Sequence, residues 1–177
     1  MDAAYDYSTI DGRMLGFGDP PKVRERQRVL LHVLNASASM IHWLALAGHE
    51  VTVIAMDGNP VPTPSPVPAV RLGPAERVDI AGTMNHPGIW ILGETREEMR
   101  KIGMGIVVEY ANQQGKPRWI DPPETFWDYR RFAQSQVVIR QPDQVIPLRF
   151  ESTFHGQGAV ATGPSTESRS RKPPRSR

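Results

Sequence analysis

HWLALAGHEVTVIAMDGNPVP, residues His42 to Pro62, holds the features that decide the fold. Val51 to Met56 is apolar on both faces, as expected of a central strand in a sandwich. Asp57-Gly58 follows at once, and this pair accepts the positive φ angles of a tight hairpin turn. Beyond it, Pro60, Pro62, Pro64, Pro66 and Pro68 alternate. A proline has no N–H for a ladder, so this segment is excluded from a sheet interior. It reads as a rigid extended crossover between sheets. The competing reading is a ligand for a proline-binding domain.

Working outward, Arg28 to Leu34 is a β-rich run with Val29, Leu31 and Val33 on one face. Arg77 to Ile80 alternates, with Val78 and Ile80 inward, and Ile106 to Tyr110 forms another strand. Asp11-Gly12 marks a second tight turn. Glu94 to Lys101 is the only helical patch, and its carboxylates Glu94, Glu97 and Glu98 read as a solvated helix face. After Ala111 the pattern loosens, and Trp119, Phe126, Trp127, Tyr129 and Phe132 are expected to pin the chain back. Val145 to Phe150 alternates again, like the opening strand of something further. The pattern as a whole predicts a small antiparallel β-sandwich with Greek-key character.

Composition removes several chemistries. The 177 residues include no cysteine. Disulfides, thiol catalysis, zinc–thiolate and iron–sulfur sites are therefore excluded, as is the blue-copper site, whose defining ligand is a thiolate. No apolar run approaches the roughly 20 residues of a membrane span. Residues 1–5 have neither the basic nor the apolar region of a signal peptide. Net charge is +2, but five of the 21 basic residues fall between Gly163 and Arg177 against a single acid, Glu167. The body is slightly acidic and the basic character belongs to the tail.

Two segments carry the identity. His42 to His49 read HWLALAGH, and Pro87 to Met104 read PGIWILGETREEMRKIGM. They resemble, at matching spacing, the ligand segments of multicopper oxidases, His-x-x-His-x-His-Gly-His and Gly-x-Trp-x-x-His-Cys-His. His42, Gly48 and His49 fall on the first, whose inner histidines correspond to Ala45 and Ala47. Gly88 and Trp90 fit the second, whose His-Cys-His corresponds to Gly93, Glu94 and Thr95. The next histidine position is Met99, and Gly103-Met104 closes the frame. LLHVLNASAS (Leu30 to Ser39), ALAGHEVTVIAMDGNPVP (Ala45 to Pro62), LGPAERVDI (Leu72 to Ile80) and GMGIVVEYA (Gly103 to Ala111) extend the likeness. They look like the central domain of three-domain, laccase-like bacterial multicopper oxidases, over roughly Tyr5 to Gly158.

The resemblance implies a cupredoxin-like Greek-key β-sandwich with a disordered C-terminal tail. It assigns residues 1–132 to that second domain, 133–158 to a linker and the first strand of a truncated third domain, and 159–177 to a disordered basic tail. It implies a fragment of an enzyme that oxidises phenols, aromatic amines or metal ions with copper while reducing O2 to water. It places the intact family in the periplasm or outside the cell. The central domain of that family normally binds no copper. The chain is thus expected to be inactive alone and to lack catalytic, cofactor-binding and metal-ligating residues. Its expected partners are the first and third cupredoxin domains.

FHGQG (Phe154 to Gly158) resembles the run into a third domain, after which Ser165 to Arg171 depart from the family. Those seven residues have codons that, read one base earlier, spell the family's Ile-Asn-Gly-Lys-Ser-Phe-Pro. The tail therefore reads as a frameshift product. Its SRSRKPPRSR ending (Ser168 to Arg177) otherwise suggests nucleic-acid binding, an alternative beside that of a stand-alone binding or assembly module. His32 reads as a structural or rim histidine, His86 as a turn residue and His155 as part of a mobile segment. His42 reads as a relic with Met104; a weak copper site with Met104 and His49 is the sharper alternative. Asn35-Ala36-Ser37 matches a glycosylation acceptor. Gly16-Phe17-Gly18 and Gly103-Met104-Gly105 lack the third glycine and helix of a dinucleotide fingerprint.

Overall fold

A computed structural model describes residues 6–134 and 141–149. The chain divides into two units, Met1–Val137 and Val138–Arg177. The first unit is a β-sandwich. One sheet has the strand order β1-β9-β8-β3-β6 and the other β2-β7-β4-β5. The strands are β1 (Lys22–Val23), β2 (Arg28–Leu34), β3 (His42–Leu46), β4 (Val51–Met56), β5 (Asn59–Val67), β6 (Val70–Leu72), β7 (Arg77–Thr83), β8 (Ile89–Glu94) and β9 (Gly105–Tyr110). A five-residue helix, α1 (Glu97–Lys101), and a 3-10 turn (Tyr129–Phe132) complete the elements. Among the described strands, all pairings are antiparallel except that of β1 with β9.

Alternation explains the core. Val51, Val53 and Ala55 of β4 are buried, as are Val78 and Ile80 of β7. Val51, Val53, Val78 and Ile80 meet Val67, Val70 and Leu72 and the turn residue Phe132 in one cluster. Leu46, Met84, Trp90, Leu92, Val108 and Tyr110 belong to a second. Leu31 of β2 packs against both. Full burial of such side chains stabilises by roughly 1.5–3 kcal/mol each. As expected, β4 is interior to its sheet, between β7 and β5. Asp57 and Gly58 turn it into β5 with φ of 49° and 83°, both in the left-handed region that a two-residue hairpin demands.

The proline run departs from expectation. Asn59–Val67 is not a crossover but a strand, at the sheet edge, paired with β4. Strand alternation reconciles the two. Pro60, Pro62, Pro64 and Pro66 share one parity, so their side chains are exposed and their nitrogens share one edge. The opposite parity, including Ser65 and Val67, supplies the ladder to Val53 and Val51. Only Pro68 and Ala69 carry the chain across to β6.

Beyond β9, Phe132 and Trp127 pack onto the sandwich as expected. Phe126 does not: it is 84% exposed. In the second unit, residues 141–149 are exposed and contain no strand. The frameshift, mobile His155 and disordered-tail expectations fall outside the described residues. Among the described residues, no helix is long and apolar enough to cross a membrane.

Candidate functional site

The strand ends place His42, Glu94 and Met104 together at one end of the sandwich. β3 begins at His42, β8 ends at Glu94, and Leu44 pairs with Glu94 in the ladder. Glu94 N–H donates to the Met104 carbonyl at 3.1 Å. The loop into β3 is tied down by Asn35. Its amide nitrogen donates to the Met40 and Leu72 carbonyls at 2.8 and 3.0 Å, and its oxygen accepts from Ser37 N and Oγ. Asn35 is buried and both its amide hydrogens are used. It is a loop pin rather than an exposed glycosylation acceptor.

Glu94 corrects the sequence reading. It is not on a solvated helix face: it is fully buried at the end of β8, and α1 begins only at Glu97. Its Oε2 accepts from His42 Nδ1 at 2.9 Å, from Trp43 N–H at 3.2 Å and from Arg96 Nη2 at 3.2 Å. Its Oε1 accepts from Arg96 Nε at 3.2 Å. Arg100 adds 2.6 Å bonds to the Glu94 and Thr95 carbonyls. Burial pushes the Glu94 carboxyl up, but the donors on His42 and Arg96 outweigh it and hold it below its ordinary value. An ionised carboxylate only accepts, so His42 Nδ1 carries the proton. His42 and Met104 also line a cavity of about 420 Å3 together with Met40, Leu44 and Leu72.

This donor set does not fit a blue-copper centre. The thiolate position holds a carboxylate, and both its oxygens are occupied by a guanidinium. The trinuclear positions fit no better. Ala45 and Ala47 are core residues at 2% exposure. At Gly93 even a Cβ would lie 2.8 Å from the Met104 carbonyl oxygen and 3.1 Å from Gly105 Cα, so an imidazole has no room. Among the described residues, no three His, Asp or Glu side chains gather where they could hold a metal ion.

His49 does not join His42. It follows β3 at the other end and meets different partners. Its Nδ1 donates to the Ala47 carbonyl at 2.9 Å, which leaves Nε2 to accept from the Tyr110 hydroxyl at 2.6 Å. Tyr110 in turn accepts from His86 N–H at 3.2 Å, and Trp90 Nε1 donates to the His86 carbonyl at 2.7 Å. The rings of His49 and His86 are 5.3 Å apart. Burial and the nearby His86 hold the pKa of His49 below its ordinary value, against the Ala47 carbonyl, which raises it. Burial also raises the Tyr110 hydroxyl. Both groups are thus kept neutral. Gly48, at φ 72°, closes the turn; a Cβ there would lie 2.8 Å from the Trp90 ring. His32 is exposed and meets Asp79 at 2.8 Å, while His86 sits in an exposed bend, both as expected.

Sequence reasoning missed two members of these clusters. Arg96 was visible as a cation two residues after an acid on a strand end. Tyr110 sat at an inward position of β9, where a hydroxyl needs a partner.

Known proteins agree with this frame. Residues 10–111 match the family model for multicopper oxidases, more than half of the chain. The multicopper oxidase MmcO of Mycobacterium tuberculosis is 39% identical over 126 residues, covering 71% of this chain and 24% of that protein. The blue copper oxidase from Nitrosomonas europaea superposes with a TM-score of 0.56 at 24% identity, over 60% of this chain and 35% of that one. The multicopper oxidase mgLAC gives 0.56 at 22% identity, over 64% and 37%. These two likenesses establish the cupredoxin-like sandwich, and the chain spans about a quarter of the curated relative. By its matched residues and its strand-end frame, the chain belongs to the multicopper oxidase family.

Proposed function

We propose that the chain is the central, copper-free cupredoxin domain of a laccase-like multicopper oxidase. In this reading it separates and orients two copper-bearing domains. The intact enzyme couples oxidation of phenols, aromatic amines or metal ions to reduction of O2 to water. The observation that carries the reading is the donor set. The frame of a mononuclear site is kept in backbone, from His42 through Glu94 to Met104, while its thiolate is replaced by a carboxylate that accepts from a guanidinium. A thiolate is what carries an electron through such a site, and a carboxylate does not substitute for it. The short share of the curated relative that the chain spans supports a place within a larger assembly.

On this reading the purified chain, given copper, develops no blue absorbance and consumes no oxygen with a phenolic substrate. Appearance of both would overturn it. The coding DNA on either side separates an oxidase domain from a stand-alone binding module. Reading frames with full copper-ligand motifs on both flanks support the oxidase; their absence favours the module.

A further inference from the structure

The edge strands of the two sheets, β1 and β6 in one and β2 and β5 in the other, are not alike. β1 is two residues long and β6 three, too short to template another strand. β5 is longer, but Pro60, Pro62, Pro64 and Pro66 strip N–H groups from its outer edge. β2 carries no such guard. It runs for seven residues, Arg28–Leu34, with no proline or lysine and with an unbroken register to β7. An open edge of that length is a ready template for a further strand.

The residues on either side of β2 fix which of its backbone groups face outward. Asn35 N–H donates to the Glu76 carbonyl at 3.0 Å, and the Gln27 carbonyl accepts from Met84 N–H at 2.9 Å. In an antiparallel ladder such bonded positions recur at every second residue. Val29, Leu31 and Val33 therefore bond to β7, opposite Gly82, Ile80 and Val78. Arg28, Leu30, His32 and Leu34 turn their N–H and carbonyl groups the other way. Among the described residues, no backbone bond reaches these groups from outside the ladder. Leu30 and Leu34 are 50% and 55% exposed, so no side chain seals the edge there. His32 is held on the same outer face by Asp79 at 2.8 Å.

We propose that β2 pairs antiparallel with β2 of a second copy of this chain, so that two four-stranded sheets join into one. The strand is self-complementary in one register. With the two-fold axis at Leu31, Arg28 lies opposite Leu34 of the second copy and Leu30 opposite its His32. Each such pair exchanges two hydrogen bonds, and every outward N–H and carbonyl of the strand is used. On the inner face Val29 meets Val33 and Leu31 meets Leu31, which extends a row already half-buried against both core clusters. No charge faces its like, and His32 keeps Asp79. Moving the axis to His32 sets two imidazoles opposite each other and leaves Arg28 without a partner in the strand. The contact is isologous and closes at two copies. It rests on the sheet edge alone and does not depend on the place of the chain in an oxidase.

The test is sedimentation equilibrium of the full chain over a wide range of concentration, as wild type, as His32→Pro and as Leu30→Lys. The wild type passes from monomer to dimer mass as concentration rises. His32→Pro removes an N–H that faces the open edge and no bond of the β7 ladder. It deletes two hydrogen bonds of the symmetric dimer, a loss of roughly tenfold or more in dimer affinity. Leu30→Lys places on the edge the side chain that natural sheets use to keep edges apart, and it weakens the dimer in the same direction. Where circular dichroism shows that His32→Pro does not fold, Leu30→Lys carries the comparison. A wild type that stays monomeric throughout overturns the proposal and leaves the edge to a strand of another protein. A dimer that neither substitution weakens overturns it as well, because the contact then lies elsewhere.

Discussion

His42 and His49 bracket β3 and both are buried, at 4% and 8% exposure, yet their surroundings are opposite in kind. His42 faces an ionised carboxylate and, through it, a guanidinium. His49 faces a phenol, a backbone carbonyl and the ring of a second histidine, His86. One end of the sandwich is closed by ions, the other by neutral groups and close packing. The fold therefore tolerates two solutions for a buried imidazole at the ends of one strand. In each, one ring nitrogen meets another strand of the same sheet: His42 Nδ1 meets Glu94 at the end of β8, and His49 Nε2 meets Tyr110 of β9. The lesson is that a histidine kept in frame need not be kept for metal: here each ties a strand end to its neighbours.

The largest effect that separates the ends is expected from Glu94→Ala. It strips His42 Nδ1, Trp43 N–H and the Arg96 fork of their buried acceptor. Breaking a buried ion pair by removing one partner costs about 3–5 kcal/mol. Arg96 reaches water, which discounts its part of the loss toward the lower end. Thermal or denaturant unfolding measures it, and a change under 1 kcal/mol would show that the ionic end contributes little. Gly48→Ala is the matching challenge to the neutral end. It forces a side chain into the left-handed region and against the Trp90 ring, for roughly 2–4 kcal/mol. A neutral outcome would mean that the turn relaxes freely and that packing does not close this end.

Tyr110→Phe is a finer probe. It leaves the ring in the core and deletes the hydroxyl that His49 and His86 share. A loss of about 1–2 kcal/mol is expected, since Nε2 of a buried imidazole is left without its donor. The same unfolding curves check it. A stabilised variant would show that the hydroxyl, not the imidazole, is the costly group to bury.

Much of this was legible in the sequence, for stated reasons. Alternation placed Val51, Val53, Val78 and Ile80 inward, because strand faces have a period of two. Asp57-Gly58 announced its turn through the backbone freedom it supplies. Alternate prolines excluded a sheet interior, but periodicity does not distinguish an edge strand from a crossover. That choice depends on whether a neighbouring strand, here β4, finds the parity that prolines leave free. Glu94 was misread because a carboxylate next to Glu97 and Glu98 looks like one continuous polar face. Its burial depends on a partner 52 positions back, His42, and no local pattern reveals that. Arg96 was passed over for the same reason. Pairing at long range decides which charged residues go inside, and single-sequence periodicity reports only which faces are apolar.

Acid separates the two ends by pH window. Folding lowers the pKa of His49 below its ordinary 6.5. Its contribution is complete above that value. As pH falls below it, the unfolded chain takes up a proton that the folded one refuses, and stability declines until the folded pKa is passed. Folding also lowers the carboxyl of Glu94 below its ordinary 4.5. That contribution is intact above 4.5 and is lost only at more acid pH. Unfolding midpoints across mildly acid to acid buffers should therefore fall in two stages, the neutral end first. His49→Gln removes the first stage and leaves the second, whereas Glu94→Gln does the reverse, on a lower baseline. A first decline that persists in His49→Gln would assign it to a group other than His49.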